Sequence, residues 1–216
     1  MRPIICLACL SSIALALTAA AAADRAAAPT TQPAPAIRGT INAESEVPLS
    51  EMVVYLESPD PKRPTPPPST QPVKVTQKGA QFQPKLVVVA VGETVDFPNE
   101  EDKPIEHNVF SNSPTKRFDL GLYGPGKSKS MTFDKPGAVM LYCSIHRYMD
   151  GVVYVCPTPF FAKVSPRDGT YRIERVPPGE YRVKTWQRNQ RFPEQEAPVS
   201  VRAGAEAAVN LQFARK

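Results

Sequence analysis

Short apolar runs separated by turn residues are the feature of this sequence that most limits its fold. The runs are rich in Val, Tyr and Phe, and Gly, Pro, Asn and Asp stand between them. This pattern is typical of antiparallel β sandwiches, and no stretch shows the period of a helix. The sequence therefore predicts an all-β protein. The main runs cover residues 52–56, 86–91, 139–142, 152–155 and 181–185.

The N-terminal residues have the composition of a secretory signal peptide. Arg2 precedes an apolar run over residues 4–17, and a stretch of alanines ends at Ala23. The apolar run is too short to span a membrane comfortably. We expect residues 1–23 to be a cleavable signal peptide and the mature protein to be periplasmic, without a membrane span. Residues 24–36 are rich in Ala, Pro and Thr, which predicts a flexible linker.

The charge of the chain excludes one class of partner. The net charge is +5, but the Lys and Arg residues form no cluster with interleaved aromatic residues. Nucleic-acid binding is therefore not indicated, whereas an acidic protein partner is compatible with this charge. No heptad repeat is present, and we expect a monomer.

Both histidines of the chain fall where a single metal site needs them. His146 lies three residues after Cys143, and Met149 lies three residues after His146, so one loop offers three ligands. His107 lies far enough upstream for the chain to return along another strand. Two imidazoles, one thiolate and a weakly bound thioether form the ligand set of blue-copper electron-transfer sites.

Cys156 offers a competing explanation for Cys143. Two cysteines in an exported protein commonly form a disulfide, which requires Cα atoms within about 7 Å of each other. Residues 151–155, however, are predicted to form a strand that leads away from the ligand loop. We therefore favour a metal-binding Cys143 and a packed, unpaired thiol at Cys156. Core packing beside Tyr148 is the alternative role of Met149.

The segment that contains these residues resembles the cupredoxin family of plastocyanin- and amicyanin-like blue copper proteins. The resemblance covers roughly residues 84–156. It rests on the run 92–99, on His107 with Asn108, on Phe133, on Pro136 with Gly137, and on Tyr142 with Cys143. The resemblance implies a Greek-key β sandwich that carries single electrons between a donor and an acceptor protein and is not an enzyme.

The same resemblance assigns roles to individual residues. One copper ion, cycling between Cu(I) and Cu(II), is expected to bind His107, Cys143, His146 and Met149. Asn108 is expected to tie the two ligand loops together by hydrogen bonds, and such contacts orient ligands. A hydrophobic surface around the edge of His146 is the expected contact patch for the redox partner.

The flanking segments resemble a transthyretin-like or carboxypeptidase-regulatory-like sandwich. The run from Asp168 and Gly169 to Ile173 predicts a hairpin turn and an alternating strand, and a Pro177-Pro178-Gly179 turn and a further strand follow. Residues 37–57 resemble the opening strands of the same module. The whole chain most resembles exported cupredoxins of the methylamine utilization protein type. The predicted organisation is opening strands at 37–57, a proline-rich loop at 58–72, a copper domain at 73–157 and a second part of the flanking module at 158–216.

Three other functions could use the same residues. The ligands could store or deliver copper or zinc without redox cycling. The flanking module could bind a partner in the cell envelope, and the metal would then have only the structural role of holding loops together. An enzyme would be expected if Glu106 replaced Met149 as a ligand and left an open coordination position.

Overall fold

The computed structural model describes residues 34–43, 48–60, 62–189 and 192–213. Apart from one 3-10 turn at Leu49–Glu51, the regular structure of these residues is β strand, so the all-β prediction is confirmed. None of these residues forms a helix long and apolar enough to cross a membrane. The predicted signal peptide and residues 24–33 of the predicted linker lie outside the described residues.

In chain order the strands are β1 (Ala36–Ala43), β2 (Met52–Glu57), β3 (Val73–Lys74), β4 (Thr76–Gln77), β5 (Phe82–Gln83), β6 (Leu86–Ala90), β7 (Thr94–Pro98), β8 (Phe110–Asn112), β9 (Arg117–Asp119), β10 (Ser128–Thr132), β11 (Gly137–Tyr142), β12 (Asp150–Cys156), β13 (Phe161–Lys163), β14 (Thr170–Ile173), β15 (Gly179–Gln187), β16 (Glu196–Val201), β17 (Glu206–Ala208) and β18 (Leu211–Phe213).

The strands on either side of the central segment form two facing sheets. In one sheet, β1 pairs with β14 in antiparallel orientation and with β17 and β18 in parallel orientation. The other sheet has the order β13-β2-β15-β16. Side chains such as Ile37, Leu56 and Phe213 fill the space between them as one buried cluster. Strands that precede residue 73 therefore share a core with strands that follow residue 156. The domain boundaries themselves stay a prediction.

The central segment forms a second sandwich. One sheet has the order β6-β12-β11-β8-β9 and the other has the order β10-β7-β3, while β4 and β5 form a small hairpin. Between the sheets lies a second buried cluster, which includes Phe97, Phe133 and Val139. Cys143 and Met149 belong to this cluster, so two of the predicted ligands lie at the edge of a rigid apolar core.

A third buried cluster joins the two sandwiches. It contains Val53 and Tyr55 from β2, Val88 from β6 and Tyr154 from β12. The Tyr154 ring stacks on the ring of Trp186, with centroids 4.4 Å apart and an interplanar angle of 18°. Because alternate residues of β2, β6 and β12 enter different clusters, these strands are buried on both faces. Burial on both faces explains their continuous apolar sequence. The described residues all belong to one compact unit.

The two turns predicted near the C-terminus join strands of different sheets. The turn at Asp168 and Gly169 leads from β13, which pairs with β2, to β14, which pairs with β1. The Pro177 and Pro178 turn then leads from β14 to β15, which also pairs with β2. The strands around Asp168 therefore do not pair with each other as the predicted hairpin requires. β13 pairs instead with the longer strand β2, and β14 pairs with the longer strand β1.

Arg63 connects the proline-rich loop to the turn at Pro177 and Pro178. Its guanidinium donates a hydrogen bond of 2.9 Å to the carbonyl of Pro178 and lies 4.9 Å from the centre of the Tyr181 ring. A Cβ atom on Gly179 would lie 2.2 Å from the Arg63 side chain. A side chain here would displace the guanidinium, and the Gly179 φ of +152° is one that other residues rarely adopt, so both features favour glycine.

Candidate metal centre

Two loops at one end of the central sandwich bring the predicted ligands together. Cys143 directly follows β11, and the loop closes where Tyr142 pairs with Asp150 at the start of β12. Inside the loop, the Met149 N–H donates a 3.0 Å hydrogen bond to the His146 carbonyl. His107 lies between β7 and β8 and forms an isolated antiparallel bridge with Tyr123. Paired backbone therefore fixes the position of both loops.

Three donor atoms face each other at the distances expected around one ion. Nδ1 of His107 lies 3.0 Å from Nδ1 of His146, and Sγ of Cys143 lies 3.8 Å and 3.6 Å from these two nitrogens. The circle through these three atoms has a radius of about 2.0 Å, which is close to the lengths of metal–imidazole and metal–thiolate bonds. The donor set therefore fits a single bound ion with one thiolate and two imidazoles in a plane. Among the described residues, these three form the one cluster of His, Cys, Asp or Glu side chains that could hold a metal.

Glu101 fixes the orientation of the His107 ring. Its Oε1 atom lies 2.9 Å from Nε2 of His107, and the two side chains are 7% and 0% exposed. The same oxygen accepts a 2.9 Å hydrogen bond from the Ala80 N–H. Burial raises the pKa of Glu101, but the hydrogen bonds from Ala80 and His107 outweigh burial and hold the pKa below its ordinary value. With the proton on Nε2, Nδ1 of His107 presents a lone pair to the site.

The sequence did not single out Glu101. It lies in the acidic run 100–102, and the only signal was its position a few residues before His107. Glu106, which the sequence suggested as an alternative ligand, has an exposed side chain and does not belong to the cluster of potential ligands.

Met149 is buried in the core of the central sandwich. Its side chain is 1% exposed and belongs to the same apolar cluster as Cys143. Its burial is compatible with a thioether ligand and with a packing residue. The ligand role of Met149 therefore stays a prediction.

Asn108 connects the two ligand loops. Its Oδ1 atom accepts hydrogen bonds from the backbone N–H of Ser144 at 2.7 Å and from the Ser144 hydroxyl at 3.0 Å. Its amide nitrogen donates to Asp119 at 3.0 Å. Asn108 adjoins His107 and Ser144 adjoins Cys143, so this side chain fixes the separation of two donor residues.

A buried polar network supports the backbone behind His107. The Tyr123 hydroxyl donates a 2.8 Å hydrogen bond to the Phe97 carbonyl and accepts one from the Gln77 amide. Burial raises the pKa of Tyr123 to about 12, so the phenol stays protonated. The Asn99 amide donates to the Tyr123 carbonyl at 2.9 Å. These contacts fix the strand that pairs with His107.

The two cysteines of the described residues are unpaired. Cys143 faces the core of the central sandwich, whereas Cys156 faces the cluster between the two sandwiches. The alternative of a disulfide between them does not form because they lie in different buried clusters. Burial raises the pKa of the Cys156 thiol to about 12, which makes it a packed and unreactive group.

Large exposed hydrophobic side chains gather at the metal end of the molecule. Ile145 and Tyr148, which are 53% and 88% exposed, belong to the ligand loop. Leu122, which is 48% exposed, adjoins the residue that pairs with His107. The His146 side chain itself is partly exposed. We call Leu122, Ile145 and Tyr148 the apolar rim.

Comparison with known proteins identifies the same central segment. The family of copper binding proteins described as the plastocyanin/azurin family matches residues 70–156. Chloroplastic plastocyanin of Physcomitrium patens is 39% identical over 85 residues, which cover 34% of this chain and 49% of that protein. The chain thus spans about half the length of this curated relative.

Solved structures of similar proteins each cover about two fifths of the chain. A copper-containing nitrite reductase from Thermus scotoductus SA-01 is 33% identical with a TM-score of 0.38, covering 39% of this chain and 22% of that one. A purple cupredoxin from Nitrosopumilus maritimus is 23% identical with a TM-score of 0.35, covering 38% and 98%. A mutant of amicyanin in its reduced Cu(I) form is 23% identical with a TM-score of 0.36, covering 40% and 84%.

The fold and the donor set together define a copper-binding β-sandwich domain of the cupredoxin class. Residues 70–156 belong to the plastocyanin/azurin family of copper-binding proteins, and copper is the cofactor of this domain. The predicted family and the predicted cofactor are both confirmed.

Proposed function

We propose that this chain carries single electrons between redox proteins through one copper ion. The ligands would be Nδ1 of His107, Sγ of Cys143, Nδ1 of His146 and the Met149 thioether. The observation that carries the proposal is the plane of one thiolate and two imidazoles, which lie 3.0 to 3.8 Å apart around one point. When bound in such a set, copper supplies a reversible one-electron couple.

The residues around the donors support rapid electron transfer by limiting motion. Glu101 holds the His107 ring, and Asn108 holds the loop that carries Cys143. The side chains of Glu101, His107 and Asn108 are almost fully buried, so these contacts restrict movement of the donor atoms. A ligand set that barely moves needs little reorganisation when the charge of the ion changes by one unit.

The apolar rim is the proposed contact surface for the redox partner. Two of its residues belong to the same loop as His146, which is the most exposed of the three donors. Arg147 lies within this loop and is exposed, which favours an acidic partner. The apolar rim suits transient docking because it can exclude water without forming a large permanent interface.

We infer export to the periplasm from residues 1–23 and propose a monomeric carrier without enzymatic activity. The N-terminal composition supports export, and N-terminal sequencing of the protein isolated from the periplasm would test cleavage after Ala23. Retention of residues 1–23 on a cytoplasmic protein would contradict this part of the proposal.

Protein-film voltammetry of the copper-loaded protein tests the electron-carrier role. We expect a reversible one-electron wave and one copper ion per chain after repeated cycles. His146→Gly opens the ligand set and should abolish a stable wave while the far-ultraviolet circular dichroism spectrum remains that of a β protein. Release of copper during each cycle of the wild-type protein would contradict electron transfer and favour storage or delivery.

A further inference from the structure

The flanking sandwich reaches the end of the copper-ligand loop through Arg188. Asp150 follows Met149 directly and begins β12. Arg188 follows β15 of the flanking sandwich, and its guanidinium forms an ion pair with the Asp150 carboxylate. A second nitrogen of the same guanidinium lies 3.4 Å from Oε1 of Glu51. A residue of one sandwich thus holds the neighbour of a predicted ligand in the other.

The contact is more protected than a typical surface ion pair. The side chains of Arg188, Glu51 and Asp150 are 22%, 25% and 29% exposed. Lys85 completes the group, with its ammonium 3.9 Å from the Asp150 carboxylate. Two cations and two anions therefore balance each other. Networks of partly buried charges are held more firmly than isolated exposed pairs.

Backbone contacts hold both ends of this connection in place. Gln187, the residue before Arg188, pairs with Met52 in the sheet of the flanking sandwich. The Arg188 N–H donates a hydrogen bond of 3.3 Å to the Glu51 carbonyl. The backbone of Arg188 is therefore held in place independently of the side-chain contact with Asp150.

On the copper side, the chain has little freedom to move. A Cβ atom on Gly151 would lie 3.2 Å from Phe82, so the backbone passes close to the core at this point. The Val152 N–H donates a 2.8 Å hydrogen bond to the Lys85 carbonyl. Asp150 is the first residue of this fixed strand, and its side chain forms an ion pair with Arg188 of the flanking sandwich.

We propose that Arg188 is a positioning residue of the copper site, which holds Asp150 and through it the Met149 end of the ligand loop. This inference rests on the proposed copper-binding function. The flanking sandwich then does more than stabilise the chain, because it sets how firmly the ligand loop closes around the ion. The copper domain of this chain is in that sense incomplete without its flanking strands.

Arg188→Gln tests the proposal in the full chain. We expect amide hydrogen exchange of the peptide 143–150 in the metal-free protein to become about tenfold faster, and Cu(I) to dissociate about tenfold faster from the loaded protein, as removal of outer-shell contacts typically does. Arg188→Lys keeps the charge and should restore most of both effects. Arg182→Gln is the matched control, since Arg182 lies on β15, the strand that Arg188 follows, and pairs with Glu196 at the surface.

The outcomes separate this proposal from the proposed function. Unchanged exchange of 143–150 or unchanged Cu(I) dissociation in a folded Arg188→Gln protein would overturn the positioning role. If the copper-loaded wild-type protein is not blue, that result contradicts the proposed electron transfer instead. The hydrogen-exchange measurement on the metal-free protein would still report on the Arg188 contact. If Arg188→Gln does not fold, Asp150→Asn removes the same charge pair from the other side. Adding Arg188→Lys to Asp150→Asn should then accelerate neither the hydrogen exchange of 143–150 nor the dissociation of Cu(I) any further.

Discussion

The carboxylate of Glu101 lies 2.9 Å from Nε2 of His107, and both side chains are almost completely buried. This pair determines which nitrogen of the His107 ring faces Cys143 and His146. Because Glu101 also accepts the Ala80 N–H, the carboxylate cannot turn away without losing two hydrogen bonds. The orientation of one predicted copper ligand therefore depends on a carboxylate outside the predicted ligand set.

Glu101→Gln should make the metal-free protein less stable at neutral pH. The pKa of Glu101 is held below its ordinary value of 4.5, so the ionised form contributes stability above that pH. This contribution is lost as the pH falls through the lowered pKa of the folded state. We therefore expect the difference in free energy of unfolding between wild type and Glu101→Gln to shrink below about pH 4.5.

Urea unfolding between pH 7 and pH 3, followed by the emission of Trp186, measures this difference. Glu106→Gln is the control, since the Glu106 side chain is exposed and lies outside the cluster of potential ligands. A difference that stays constant over the whole pH range would show that the Glu101 charge is not linked to folding.

Asn108→Ala should destabilise the metal-free protein by about 1 to 3 kcal/mol, because it removes the three hydrogen bonds that the buried Asn108 side chain forms with Ser144 and Asp119. Ser144→Ala removes only the 3.0 Å hydroxyl contact and should cost less than about 1 kcal/mol. Denaturant titration of both variants tests this order. Equal costs would mean that the backbone contact to Ser144 contributes nothing.

Cys156 should resist alkylation in the native protein. Burial raises the pKa of its thiol to about 12 from an ordinary value of 9.0, so almost no reactive thiolate is present at pH 8. Iodoacetamide treatment followed by peptide mapping should find Cys156 unlabelled in buffer and labelled in denaturant. Labelling in buffer at the rate of the unfolded chain would contradict its buried position.

Tyr148→Asp should slow electron self-exchange by about tenfold if the apolar rim is the docking surface, because a charge there opposes the close approach of two molecules. Nuclear magnetic resonance line broadening in mixtures of reduced and oxidised protein gives the rate. Gln212→Asp adds the same charge to the exposed face of β18 and should leave the rate unchanged. Equal slowing in both variants would point to net charge rather than to the rim.

Much of this architecture could be read from the sequence because strands and ligands leave local signals. The apolar runs at 86–91 and 152–155 predicted β6 and β12, and the equal spacing of Cys143, His146 and Met149 predicted one ligand loop. The runs could not reveal that β6 and β12 separate two different cores. A fully apolar strand has no alternation that would show what lies on each face.

Contacts between distant elements could not be predicted in the same way. Glu101 lies in an acidic run that is indistinguishable from solvated surface until the chain folds against Ala80. Asp150 begins β12, whereas Arg188 lies 38 residues later and follows β15, a strand of a different sheet. The contact between them depends on how the two sandwiches pack, and no local sequence pattern predicts it.

The visible absorption spectrum of the protein loaded with Cu(II) tests the central claim most directly. A thiolate bound to Cu(II) in this plane of two imidazoles should give an intense blue band, and Cys143→Ser should lose it while the protein still folds. Wild-type protein that binds one Cu(II) ion without this band would contradict the proposed copper centre.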